Sequence, residues 1–330
     1  MKKLLYIFLF LILIFTKSIA QDIHFSQFNN TPLLINPSLS GEAGGNRFIL
    51  NYRNQWRSIT KNSYKTTAFS YDSYFSKDKF SMGVMVFKDK AGDGDLSLSQ
   101  INLSGASKVK INENNYLKLG IQAGFSQRKI DMSNLTWNSQ AYDGRINPNL
   151  ASGEINSNIN ASYFDISTGL LWTSQMSEYS KVNIGFSAYH VNRPSYDFLS
   201  KNSNVNIRWN GHIDVEIAKS NSNIIYYPSV LYMQQGKGKE INIGGIIKYD
   251  LGLDSKYTGK LISSSLYFGA FYRYNDAIIA YTRLNYRKQF DICITYDINL
   301  SSLYHSTHAK GGMELSLIYN LNKKKSIRKY

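Results

Sequence analysis

The chain has 330 residues, 43% of them hydrophobic and 18% charged, with 25 Tyr, 17 Phe and 4 Trp. That much apolar surface excludes a disordered chain, and a mean hydropathy of −0.32 argues against a bundle of membrane-spanning helices. A formal net charge of +15 would, on its own, suggest a nucleic-acid ligand.

The first twenty residues remove that suggestion. Lys2 and Lys3 form a basic start, Leu4 to Phe15 an apolar stretch too short to span a bilayer, and Ser18-Ile19-Ala20 a small-x-small cleavage site. Residues 1–20 read as a signal peptide, so the mature chain, at +12 once Lys2, Lys3 and Lys17 are removed, is exported and no nucleic acid is expected as partner. Gln21 follows the cleavage site, where a lipoprotein would need cysteine. The lone Cys293 allows no intramolecular disulfide, so stability must come from closure and packing.

Residues 21–46, QDIHFSQFNNTPLLINPSLSGEAGGN, hold turn residues, two prolines and no strand period. Such a segment ahead of the first strand suits a plug in a lumen or a cap on the periplasmic mouth, and equally a loose leader.

From 47 to 321 the chain reads as a transmembrane β-barrel. Val205, Ile207, Trp209, Ile213, Val215 and Ile217 alternate with Asn206, Arg208, Asn210, His212, Asp214 and Glu216. Phe290, Ile292, Ile294, Tyr296, Ile298 and Leu300 alternate in the same way with Asp291, Cys293, Thr295, Asp297 and Asn299. A period of two over about ten residues fits strands with apolar side chains toward lipid and polar ones toward a wet lumen, and is too long for most sandwich strands. Arginine at Ile294 is therefore expected to cost far more than arginine at Thr295.

Strands are expected near 47–53, 64–75, 80–88, 95–109, 115–128, 163–173, 180–190, 205–219, 223–233, 238–249, 261–274, 277–287, 289–300 and 311–321, about fourteen in all. An even count predicts both termini in the periplasm, with short inner turns and long outer connections at 129–162, 191–204 and 301–310. Tyr71, Tyr74, Phe75, Tyr226, Tyr227, Tyr267, Phe268, Phe271, Tyr272, Tyr274, Tyr281 and Tyr286 are expected in interfacial belts. Residues 322–330 form a basic tail.

Chemical motifs are sparse. His305 and His308 lack acidic or cysteine partners, and Asp89, Asp93 and Asp95 lack the downstream glutamate of a calcium loop, so no metal and no cofactor is expected. Arg208, His212, Asp214 and Glu216 share the inner face of one strand and read as a polar lumen ladder. No nucleophile elbow is present, and no catalytic residue or enzyme activity is expected.

HFSQFNNTPLLINPSLSG after the signal peptide, NYRNQW at 51–56, DKAGDGDLS at 89–97, LKLGIQAGFSQRKID at 117–131 and GGMELSLIYNL at 311–321 together resemble the PorP/SprF family of type IX secretion membrane proteins. Phe25, Ser26, Gln27, Pro32, Asn36, Pro37 and Gly41 match the first family block, and Tyr52, Arg53, Gln55 and Trp56 the second. Ser38 stands where alanine is common. The resemblance implies an outer-membrane barrel that docks or supports surface display of secreted adhesin or gliding-type cargo bearing C-terminal sorting domains, alongside other type IX components. The basic charge suits contact with outer-membrane lipid and lipopolysaccharide. A passive or ligand-gated channel for small apolar solutes is the alternative.

Overall fold

The computed structural model describes residues 22–57, 62–75, 79–92, 96–131, 135–142, 145–147, 150, 159–196, 203–220, 222–254, 261–262, 264–301 and 307–321. The expected signal peptide and basic tail lie outside the described residues.

Fourteen antiparallel strands close into a barrel. They are β1 (Asn46–Gln55), β2 (Tyr64–Phe75), β3 (Phe80–Ala91), β4 (Leu96–Lys110), β5 (Asn115–Ile130), β6 (Ile159–Ser177) and β7 (Ser180–Tyr189), then β8 (Arg208–Ala218), β9 (Ile224–Gln235), β10 (Gly238–Asp250), β11 (Ser265–Arg273), β12 (Ala277–Tyr286), β13 (Phe290–Asn299) and β14 (Lys310–Leu321). Each pairs with its neighbour in sequence, and β1 closes on β14 with Asn46 opposite Leu321 and Gln55 opposite Gly312. Closure satisfies every edge, the condition for strands to cross lipid. The alternation read in β13 is the alternation found: Phe290, Ile292, Ile294, Tyr296 and Ile298 are exposed outward, while Asp291, Cys293, Thr295, Asp297 and Asn299 are buried.

Three boundaries differ from the expected strands. Val205 is buried and its N–H bonds to the Pro194 carbonyl at 3.0 Å, so the apolar-polar run continues into the preceding connection while β8 begins only at Arg208. Leu261–Ile262 pairs with Leu253–Asp254 as a separate ladder instead of extending β11. β6 runs 19 residues, well beyond the nine to eleven or so a tilted spanning strand needs, and takes up part of the long connection expected at 129–162.

The even strand count places Asn46 and Leu321 at one end of the barrel. Asp22 sits at the other: its N–H bonds to Gln235, the last residue of β9, and its carboxylate meets Arg208, the first of β8. Asp22 and Leu321, the first and last described residues, thus lie at opposite ends of the barrel, where strand parity alone predicts both termini on one side. Strand parity governs only the barrel, and the residues before β1 run the length of its lumen.

The lumen is packed, not wet. Phe28 and Ile35 from this leading segment pack with inward-facing Leu231, Met233, Ile246, Phe271, Ile279, Tyr281 and Cys293. Strand parity divides the expected aromatic belt accordingly. Phe75, Tyr226, Phe268, Tyr272, Tyr274 and Tyr286 are exposed outside, but Phe271 and Tyr281 are buried inside, Tyr227 and Tyr267 pack against the same core, and Tyr74 turns its hydroxyl onto Glu42.

Candidate functional site

The site is the path of residues 22–45 through the barrel. At one mouth the Asp22 carboxylate lies 2.6 Å from His190 Nε2 and 3.2 Å from Arg208 Nη1, and Asp165 holds the other imidazole nitrogen at 2.9 Å. Burial pushes the Asp22 carboxyl up, but His190 and Arg208 outweigh burial and hold it well below the usual carboxylate range.

Next along the segment, Ser26 and Gln27 meet four charged side chains that are nearly fully buried: Arg53 on β1, Arg273 on β11, Asp297 on β13 and Glu314 on β14. Arg53 pairs with Glu314 and, at 3.2 Å, with Asp297; Arg273 reaches Asp297 at 2.8 Å. The two positive and two negative groups balance. The Ser26 hydroxyl accepts from Arg53 (2.6 Å) and Arg273 (2.9 Å) and donates to Asp297 (2.7 Å). One donor and two acceptor sites on one small atom are what a hydroxyl supplies, which accounts for serine here. The two Glu314 oxygens accept the successive backbone N–H groups of Ser26 (2.6 Å) and Gln27 (2.8 Å). The Gln27 amide donates to the Glu314 carbonyl (3.2 Å) and accepts from Ser316 (2.6 Å). Phe25 packs beside it with Leu33, Leu34, Ala68, Met85 and Phe87.

Pro32 starts a single helical turn, α1 (Pro32–Ile35), where its missing N–H costs nothing. So short a helix cannot satisfy its own last carbonyls, and the barrel wall does so. Tyr189 donates to the Leu33 carbonyl (2.8 Å), Arg208 to Leu34 (2.9 Å), and Ser187 (2.6 Å) and Asn210 (2.8 Å) to Ile35. Asn36, extended before Pro37, caps the next turn by accepting from Ser38 N at 3.0 Å, and its amide donates to the Leu170 carbonyl at 3.0 Å and lies 3.3 Å from His212 Nε2. The wall leaves room for this backbone with glycines. A Cβ on Gly120 would lie 2.3 Å from Ser38 N, and one on Gly169 would lie 1.9 Å from Asn36 Oδ1.

At the other mouth Gly41, at φ +69°, bonds its N–H to Asp72 (2.6 Å), which Arg47 holds in a two-point pair. Lys118 donates to the Ser40 carbonyl, and Glu42 takes Lys181 at 3.2 Å and Lys118 at 3.5 Å. Burial pushes the Glu42 carboxyl up, but Lys181, Lys118 and the Tyr116 hydroxyl outweigh it and hold the group at about 2. Two small cavities lie beside the segment in the lumen. One cavity of about 10 Å³ lies beside Ile23, Leu34, Phe87 and His190, and one of about 20 Å³ beside His24, Met233 and Glu240, each room for about one water.

Of the residues singled out from sequence, Phe25, Ser26, Gln27, Pro32, Asn36, Pro37, Gly41 and Arg53 come together along this path, as do Arg208 and His212 of the ladder. Asp214 reaches the path only through His212 (2.8 Å), and Glu216 is partly buried further along β8. Tyr52 points outward, and Gln55 and Trp56 end β1 away from the charged cluster, with Trp56 edge-on to Tyr64. The ladder is thus not a solvated face: Arg208 and His212 read the backbone and amide of residues 34–36. Thr295 is also not in a wet lumen, since it is 1% exposed and accepts from the Gln27 amide at 3.3 Å. Sequence reasoning missed Asp72, Lys118, Arg273, Asp297 and Glu314 as partners. Their signal was a charged residue at an inward position within a strand. No group able to hold a metal occurs among the described residues; Asp93, Asp95 and His305 lie outside them.

A closed, even-stranded barrel with an apolar outer band is the architecture of an outer-membrane β-barrel protein. Residues 17–319 match the family described as type IX secretion system membrane protein PorP/SprF, and the chain belongs to that family. Among solved structures it is similar to the Pseudomonas putida toluene transporter TodX, at 10% identity and TM-score 0.47 over 88% of this chain and 94% of that one. It is also similar to a Pseudomonas aeruginosa FadL homologue, at 9% identity and TM-score 0.45 over 83% and 90%. A search of curated proteins found no match.

Proposed function

We propose that this barrel serves type IX secretion as a docking component that supports surface display of secreted adhesin or gliding-type cargo, and that it neither catalyses a reaction nor conducts solutes. The observation that carries this reading is the occupied lumen. Residues 22–45 run from one mouth to the other and are bonded to the wall at both ends and along the middle. A polar conduit would need that segment to leave and to give up its bonds to Arg53, Arg273, Asp297 and Glu314. Its partners in this reading are other type IX components and cargo with C-terminal sorting domains, met on the faces of the barrel, with lipid and lipopolysaccharide around it.

The test is deletion of the gene. Outer-membrane permeability should stay nearly unchanged while one or a few secreted proteins disappear from the cell surface. Tagged protein purified from its native membrane should bring down secretion components or cargo. Normal display of all cargo together with lost uptake of a small apolar solute would instead make it a channel.

A further inference from the structure

We infer that the leading segment carries the mature N-terminus through the barrel, so that the amino end of the protein is presented at the cell surface, opposite the end where β14 finishes. Two observations combine. The first is the direction of the segment. Glu42 lies at the end that holds Lys118 and Lys181, near the starts of β5 and β7, beside the mouth where β1 begins and β14 ends. Asp22 lies at the far mouth, held by Gln235 at the end of β9, Arg208 at the start of β8 and His190 just after β7. Between them the segment folds back once, Leu34 returning to Arg208, the side chain that also holds Asp22, before Asn36 and Gly41 lead to the other mouth.

The second is the sidedness of the barrel. The connections at the Asp22 mouth include residues 131–158 and 190–207, whereas those at the other mouth are 76–79, 111–114, 178–179, 219–223 and 287–289, with 251–264 the one long exception. Outer-membrane barrels keep short turns toward the periplasm and long loops toward the exterior. The Asp22 mouth is therefore the outer one.

The route has a consequence for assembly. Signal peptidase leaves the new amino end in the periplasm, yet the folded protein holds it at the outer mouth. The segment must accompany the strands as they insert, before β1 meets β14, because Ser26 and Gln27 lie against Arg53 and Glu314 on the two strands that close the barrel. This inference concerns topology and stands whether or not the barrel docks cargo.

An epitope inserted between Gln21 and Asp22 of the full chain, compared with the same epitope after Tyr330, tests it. Antibody on intact cells should stain the first and miss the second, and both should stain once the outer membrane is permeabilised. Staining of the first only after permeabilisation would overturn the inference. Should the epitope prevent folding, seen as loss of the heat-modifiable band, a single cysteine inserted between Gln21 and Asp22 takes its place, with buried Cys293 as the internal unreactive control. A membrane-impermeant maleimide should label the inserted thiol on intact cells, and labelling only after permeabilisation would again overturn it. Asp22→Cys with Gln235→Cys should cross-link through a short bis-maleimide in native membranes, and a folded barrel without that cross-link would contradict the route.

Discussion

Arg53 on the first strand and Glu314 on the last stand directly opposite each other across the seam that closes the barrel, and both grip the same dipeptide, Ser26-Gln27. The seam is therefore held by more than its ladder of backbone bonds. Its two strands share a buried ion pair that also bonds the Ser26 hydroxyl and the Ser26 and Gln27 N–H groups, which offsets part of the cost of burying it.

Removing one member of this cluster should cost heavily, because it leaves an unpaired charge in a dry site. Arg53→Met is expected to destabilise the protein by about 3–5 kcal/mol. Arg53→Met with Glu314→Met should recover part of that loss. Urea midpoints in lipid vesicles measure both, and additive losses would argue against coupling across the seam.

The glycines facing Asn36 and Ser38 should be specific to the segment. Gly120→Ala drives a methyl into the Ser38 backbone, whereas Gly105→Ala meets nothing within 4 Å. Gly120→Ala should leave an inserted barrel but lose roughly 1–3 kcal/mol and let chymotrypsin reach Phe25, Phe28 and Leu33. Gly105→Ala should resist cleavage like the wild type.

Much of this was legible beforehand, and the boundary of what was not is physical. Strand period is local, so Phe290 to Leu300 could be oriented from sequence alone. The lumen position of Phe28 or Asn36 depends on contacts with strands 134 to 243 residues further along, so residues 21–46 read equally as plug, cap or loose leader. Asp297 and Glu314 were visible as inward polar residues, but a polar group in a wet lumen and one buried against a partner look the same in a strand pattern. Phe271 and Tyr281 were assigned to an outer belt on residue type, although their parity pointed inward.

That correction changes one expectation outright. Ile294→Arg should still cost about 2–4 kcal/mol, because the guanidinium faces hydrocarbon. Thr295→Arg should now be at least as damaging, since Thr295 is covered by Gln27. In a chain lacking residues 22–42 the two should separate, with Thr295→Arg tolerated and Ile294→Arg not. Heat-modifiable gel mobility of the four proteins reads the outcome.

Glu42 predicts the response to acid. Its folded value of about 2 lies below its ordinary 4.5, so the folded state favours the ionised carboxylate. The stabilisation is then fully present above pH 4.5 and is lost as pH falls through 2, with an upper bound on the order of 3 kcal/mol. Glu42→Gln should therefore be less stable than the wild type at pH 7, and the gap should narrow toward pH 2 to 3. Denaturant midpoints across that range test it, and a gap that widens in acid would have the wrong sign.

Single-channel recording of the purified protein in a planar bilayer tests most directly whether the lumen is closed by its own leading segment. The wild type should insert without resolvable steps, and the variant lacking residues 22–42, whose lumen can fill with water, should show stable open-level conductance. Steady conductance by the wild type at the level of that variant would contradict the account.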